Sequence, residues 1–271
     1  MTKTDPALSA FRYLITDMDG VLWRGRTPLP GLAEFFQFLR QQNIRFVCAT
    51  NNASTLPGNL AERLQGWGAD VQSKEIVTSS IATADYLADT LPAGARLYVV
   101  GMEGLRAPLL QKGFELADDN VAAVVVGIDW QLTYEHLKRA ALNIRAGAKF
   151  IGTNADRTFP SSEGIIPGAG AILAAIETGS GVKPIVMGKP EPYLYEVALK
   201  RISAAPEQTL VLGDRLETDI LGAVRLSLKS ALVLSGVTTR EQLAASDYQP
   251  DWVFEDIKAL TAAWQNALNN E

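Results

Sequence analysis

The chain has 271 residues, room for one large domain or two modest ones at roughly 100–200 residues each. Hydrophobic residues make up 47% and charged residues 20%, which excludes a disordered chain and a disulfide-stapled mini-protein. With 25 Lys and Arg against 30 Asp and Glu, the net charge of -5 leaves no basic footprint for a nucleic acid polymer or an anionic membrane.

Read in chain order, short β-rich runs alternate with helix-like segments, the pattern of βαβ units building a parallel sheet. Phe11 to Asp17 predicts a strand, followed by a Gly/Pro-punctuated stretch through Gly31. Leu32, Phe35, Phe36 and Leu39 then recur at helical spacing. Ile44 to Thr50 predicts the next strand, Leu56 to Trp67 a helix closed by Gly68, and Ile76 to Thr78 a short strand. A second series follows: helix Ile81 to Asp89, strand Arg96 to Val100, helix Gly104 to Lys112, strand Val121 to Val126, helix Tyr134 to Ala146 and strand Lys149 to Gly152. Thr153 to Gly170 is rich in Gly, Pro, Ser and Asn and predicts a loop; Ala171 to Thr178 predicts a helix and Gly179 to Pro184 a linker. The first rhythm then returns with strand Ile185 to Met187, helix Pro192 to Ile202, strand Thr209 to Leu212, helix Glu217 to Leu226, strand Ser230 to Leu234 and a terminal helix. The pattern predicts an α/β protein whose parallel-sheet core, residues 1–79 and 183–271, is interrupted by a smaller α/β insert, residues 80–182.

Residues Met1 to Ala10 lack the apolar stretch of a signal peptide, and no run approaches the roughly 20 apolar residues of a membrane span. With Cys48 as the lone cysteine, an internal disulfide and a thiolate zinc site are both excluded, so a soluble protein of the reducing cytoplasm is expected. The lone histidine, His136, excludes multi-histidine metal sites and sits in a helical segment where an exposed or half-packed role is the better reading. Cys48, mid-strand, is read as a buried structural thiol. The chemistry therefore falls to carboxylates.

Asp17-Met18-Asp19-Gly20 emerges directly after the first apolar run, at the carboxyl end of a strand where open α/β sheets bind ligands. Strand alternation lets Asp17 and Asp19 project to one side while Met18 turns into the core. Two carboxylates so close require compensation, by a shared proton or by a divalent cation. With only oxygen ligands available that cation is hard, and Mg²⁺ is the first choice. Three further groups follow other predicted strands: Thr50-Asn51-Asn52, Lys189, and Gly213-Asp214 with Asp219. All four sites are expected at the same edge of one sheet, which gathers acids for a metal, a hydroxyl and N–H groups for an anion, and an ammonium to balance phosphate charge.

At these residues the chain resembles the haloacid dehalogenase superfamily of phosphohydrolases. Asp17-Met18-Asp19-Gly20-Val21 is similar to its first motif, Thr50 to its second, Lys189 in Gly188-Lys189-Pro190 to its third, and Gly213 through Asp219 to its fourth. The insert, with Gly152-Thr153-Asn154-Ala155-Asp156 and Pro167-Gly168-Ala169-Gly170, resembles the large α/β cap of subclass IIA on a Rossmann-like core. The resemblance implies a Mg²⁺-dependent phosphomonoesterase acting on a small phosphorylated metabolite. In it Asp17 is the nucleophile that becomes an aspartyl-phosphate, and Asp19 is the general acid/base, with a pKa raised by its charged neighbour and partial burial. It further implies a metal held by the Asp17 carboxylate, the Asp19 main-chain carbonyl and Asp214, with Asp219 close by, and phosphate bound by Thr50, the Asn51 N–H and Lys189. Asn154 and Asp156 are the cap candidates for contact with the leaving group. Trp23 is read either as lining the entrance or as packed beneath a loop. A phosphotransferase or mutase with the same intermediate, and a non-enzymatic phospho-acceptor module, are the alternatives. The sequence fixes no oligomeric state, and a homodimer stays open.

Overall fold

A strand covered on both faces buries its side chains in succession, and in the run Tyr13–Thr16 the last three residues are all buried, the Thr16 hydroxyl donating to the Asp17 carbonyl. In the computed structural model, which describes residues 7–161 and 163–270, this run is a central strand of a six-stranded sheet. The strand order is Trp252–Phe254, Lys229–Val233, Thr209–Gly213, Tyr13–Thr16, Arg45–Thr50, Ile76–Thr78. Ile15 lies opposite Val211 on one side and Val47 on the other, both in parallel register. The helix Leu32–Gln41 buries Leu32, Phe35, Phe36, Phe38 and Leu39, the expected stripe widened by one aromatic ring. The terminal helix Ile257–Asn269 starts at Asp256, whose carboxylate accepts the Ala259 N–H at 2.8 Å, and buries Trp264. Phe11 packs edge-on against Trp264 and Trp252.

A second sheet of five parallel strands runs in the order Ile185–Val186, Lys149–Gly152, Ala123–Val126, Arg96–Val100, Glu115–Leu116. Its side chains alternate faces with period two. Val99, Val125 and Ile151 join Leu105 and Leu109 in one apolar layer, while Val100, Val124 and Phe150 join Ile144 and Ile176 in the other. The run at 185–187 therefore does not rejoin the first sheet as expected. Ile185 and Val186 pair with Ile151 and Gly152, because a two-residue strand carries too little pattern to choose a partner and takes the sheet edge beside it. The stretch expected as loop holds an antiparallel hairpin, Thr158–Ser161 with Gly164–Pro167, before the helix Ala169–Ser180.

Two compact units result: Met1–Ala49, Ala61–Ile76 and Ala198–Glu271 form one, Thr50–Leu60 and Val77–Val197 the other. This division differs from the 80–182 insert read from the sequence, since residues 50–60, 77–79 and 183–197 fall with the second unit. Among the described residues no helix is long and apolar enough to cross a membrane.

Candidate active site

In the first unit the ladder between Tyr13–Thr16 and Thr209–Gly213 extends one residue further, the Asp17 N–H donating to the Leu212 carbonyl at 2.8 Å. That bond holds Asp17 at the carboxyl edge of the sheet, half-buried, beside Asp214 on the next strand's end. Asp17, Asp214 and Asp219 each offer a carboxylate oxygen within 4.8 Å of the others. Asp214 and Asp219 are 0% and 1% exposed.

Asp219 reaches the cluster because the segment after Asp214 does not begin as the expected α-helix. Leu216–Ile220 is a π-turn in which the Ile220 N–H donates to the Arg215 carbonyl, five residues back. The widened turn swings the Asp219 carboxylate to accept the N–H groups of Asp214 at 3.3 Å and Arg215 at 3.1 Å. Asp214 is fixed from the other side by the Val237 N–H, which donates to Oδ2 at 2.7 Å, and the Thr238 N–H donates to its carbonyl. Side chains at two nearby positions would crowd this arrangement. A Cβ on Gly20, whose φ is +84°, would lie 2.3 Å from Asp214 Oδ2, and one on Gly236 would lie 1.9 Å from it.

Three clustered carboxylates, two of them shut off from water, repel strongly unless a cation compensates them. All three donors are hard oxygens, with neither thiolate nor imidazole in the group, and such a set fits Mg²⁺. The Asp19 carboxylate is not among the three. Asp19 was expected to be partly buried and is exposed, because it stands beyond the strand end where the chain turns back. That turn brings Trp23 over it: the indole Nε1–H donates to Asp19 Oδ1 at 2.7 Å. Trp23 is 1% exposed, so it is packed beneath the loop and does not line an entrance.

The second unit contains the other groups. Thr50 ends the strand Arg45–Thr50 and accepts the Asn52 N–H on its hydroxyl at 3.0 Å. The Asn51 side chain clasps the main chain of Lys189 at two points, Oδ1 accepting its N–H at 2.8 Å and Nδ2 donating to its carbonyl at 3.1 Å. Gly188 permits the approach, since a Cβ there would lie 2.5 Å from Asn51 Oδ1. Lys189 is 4% exposed, far from the solvated cation its residue type ordinarily gives. Asn154 and Asp156, offered by the sequence as substrate contacts, are partners of Asn51. Asn154 Nδ2 donates to the Asn51 carbonyl at 2.8 Å, and Asp156 Oδ1 accepts from Asn51 Nδ2 at 3.1 Å. His136 belongs to the start of the helix Tyr134–Arg145, its Nδ1 accepting the Thr133 N–H.

Comparison with known proteins gives the family. The family model of haloacid dehalogenase-like hydrolases matches residues 14–115, and a second, HAD-hydrolase-like model matches residues 186–260. The first segment includes Asp17, Asp19 and Thr50, the second Lys189, Asp214 and Asp219. An acid sugar phosphatase of Staphylococcus saprophyticus is 39% identical over 249 residues, 92% of this chain and 95% of that protein. The 4-nitrophenylphosphatase of Thermotoga maritima matches with a TM-score of 0.91 at 36% identity, over 95% of this chain and 99% of that one. The glycerol phosphate phosphatase of Mycobacterium tuberculosis, solved in complex with calcium, matches at 0.87 and 34% identity, over 94% of this chain and 76% of that one. The chain belongs to the haloacid dehalogenase-like hydrolases and, within them, to the subclass IIA phosphatases.

Proposed function

We propose that this phosphatase is a Mg²⁺-dependent, cytoplasmic phosphomonoesterase that acts on a small phosphorylated metabolite through an aspartyl-phosphate. The observation that carries the reading is the convergence of Asp17, Asp214 and Asp219, two of them buried, at the carboxyl edge of the parallel sheet. The Asp17 carboxylate, the Asp19 main-chain carbonyl and Asp214 would hold the metal, with Asp219 beside them. Bound there, the metal supplies positive charge against the acids and the phosphoryl oxygens.

Asp17 attacks phosphorus, and the bond to the ester oxygen breaks as Asp19 gives that oxygen a proton. Asp19 then takes a proton from the water that attacks the aspartyl-phosphate, which returns Asp17 as a carboxylate and releases inorganic phosphate. The Thr50 hydroxyl, the Asn51 N–H and the Lys189 ammonium hold the non-bridging oxygens. The acid sugar phosphatase at 39% identity and the glycerol phosphate phosphatase at 34% support a small, hydroxylated leaving group.

The test is phosphate release from sugar phosphates, glycerol phosphate and nitrophenyl phosphate, with Mg²⁺ and with a chelator. Turnover that requires the divalent ion is expected. Turnover undiminished by chelation overturns the metal assignment, and release of no phosphate from any ester overturns the reading.

A further inference from the structure

Trp23 is a large aromatic residue whose polar atom is spent on a group of the reaction. The local chain is built to bring it there. Gly20 adopts φ +84°, its N–H donates to the Trp23 carbonyl at 2.7 Å, and the Leu22 N–H donates to the Met18 carbonyl at 2.8 Å. Met18, Val21 and Leu22 are all fully buried and anchor the turn from below. The short hairpin Trp23–Arg24 with Thr27–Pro28 fixes the far side. The indole ring lies against Trp67, centroids 5.8 Å apart, with the Arg63 guanidinium 5.6 Å from its centroid. The ring is therefore held firmly, and the Nε1–H···Oδ1 bond of 2.7 Å is at the short end for such a donor.

We infer that Trp23 is a positioning residue that fixes the Asp19 carboxyl group and assigns its transferable proton to Oδ2. An indole N–H only donates, so Oδ1 must accept from it whether Asp19 is charged or neutral. Of the two oxygens of a neutral carboxyl group the carbonyl oxygen is the stronger acceptor, so this bond favours Oδ1 as the carbonyl and Oδ2 as the hydroxyl. The proton sits on Oδ2 and passes to the ester oxygen as the P–O bond breaks, its electron pair going to that oxygen while the bond from Asp17 to phosphorus forms. The inference rests on the general-acid reading of Asp19.

A nitrophenolate leaves without help, whereas an alkoxide needs its proton during bond breaking. The experiment measures kcat/KM, which stops at formation of the aspartyl-phosphate, for nitrophenyl phosphate and for alkyl phosphates of rising leaving-group pKa. Trp23→Phe is expected to lower kcat/KM for alkyl esters about 10–100-fold, within the range of general-acid effects, and for nitrophenyl phosphate less than about 3-fold. Benzothienylalanine at position 23 keeps the fused ring without the N–H and must reproduce this selectivity if Trp23→Phe fails to fold. Trp67→Phe disturbs the same packing while leaving the hydrogen bond and must not steepen the dependence. In NMR spectra the indole signal lost in Trp23→Phe must move in Asp19→Ala. Equal losses on both ester classes, no loss, the same steepening in Trp67→Phe, or an unmoved indole signal each overturn the inference. A wild-type protein inactive on every ester, or Asp19→Asn with undiminished alkyl-ester turnover, fails the underlying reading instead, and the NMR comparison still decides the bond.

Discussion

Asp17 and Asp214 were legible in the sequence because each directly follows an apolar strand run, where chemistry collects in open α/β sheets. The nucleophilic role proposed for Asp17 gives the sharpest expectation: Asp17→Asn leaves the fold intact by circular dichroism and lowers turnover by about 10⁴-fold or more, the scale of losing a covalent nucleophile. Gly236 carries a subtler demand. Gly236→Ala places a methyl group against Asp214 Oδ2 and is expected to cost about 1–3 kcal/mol in denaturant unfolding, with a higher Mg²⁺ requirement for activity. Cys48 is fully buried, and burial pushes its thiol well above the ordinary range. The folded protein thus holds the thiol proton more tightly than the unfolded chain. Stability from the neutral thiol is complete below the unfolded value of about 8.5 and declines as pH rises beyond it. A thiol reagent at pH 8 should leave Cys48 unmodified until denaturant is added. Trp23 and the side chain of Asn51 carried no such signal, since a donor four residues beyond Asp19, or a clasp on a distant backbone, has no sequence period to announce it.

At the scale of elements, helices with a sustained apolar stripe were readable and short pieces were not. Leu32–Gln41 announces itself through four residues at helical spacing, whereas Trp252–Phe254 and Glu115–Leu116 are too short to show alternation. The π-turn at Leu216–Ile220 was hidden for another reason. Its sequence is compatible with an α-helix, and the local bonds that accompany the wider winding, from the N–H groups of Asp214 and Arg215 to the Asp219 carboxylate, have no period to announce them. The terminal helix offers a clean element-level test. Asp256→Ala removes the acceptor for the Ala259 N–H and should cost about 1 kcal/mol in chemical denaturation while kcat and KM stay unchanged.

For the whole molecule, the alternation of strands and helices foretold a parallel-sheet core with a smaller α/β insert, and the acidic cluster is the feature on which the proposed ion dependence rests. Chelation should abolish activity and added Mg²⁺ should restore it, while the circular dichroism spectrum barely changes, because three acids out of 271 residues do not hold the sheets together. The clasp between Asn51 and the main chain of Lys189 joins positions 138 residues apart, and residues 50–60 fall with the second unit although they precede most of the first. Specificity therefore cannot be transplanted by two cuts. A chimera built by grafting a relative's residues at 80–182 would set the host Asn51 against foreign side chains at 154 and 156, and a working hybrid must import the short upstream stretch together with the long one.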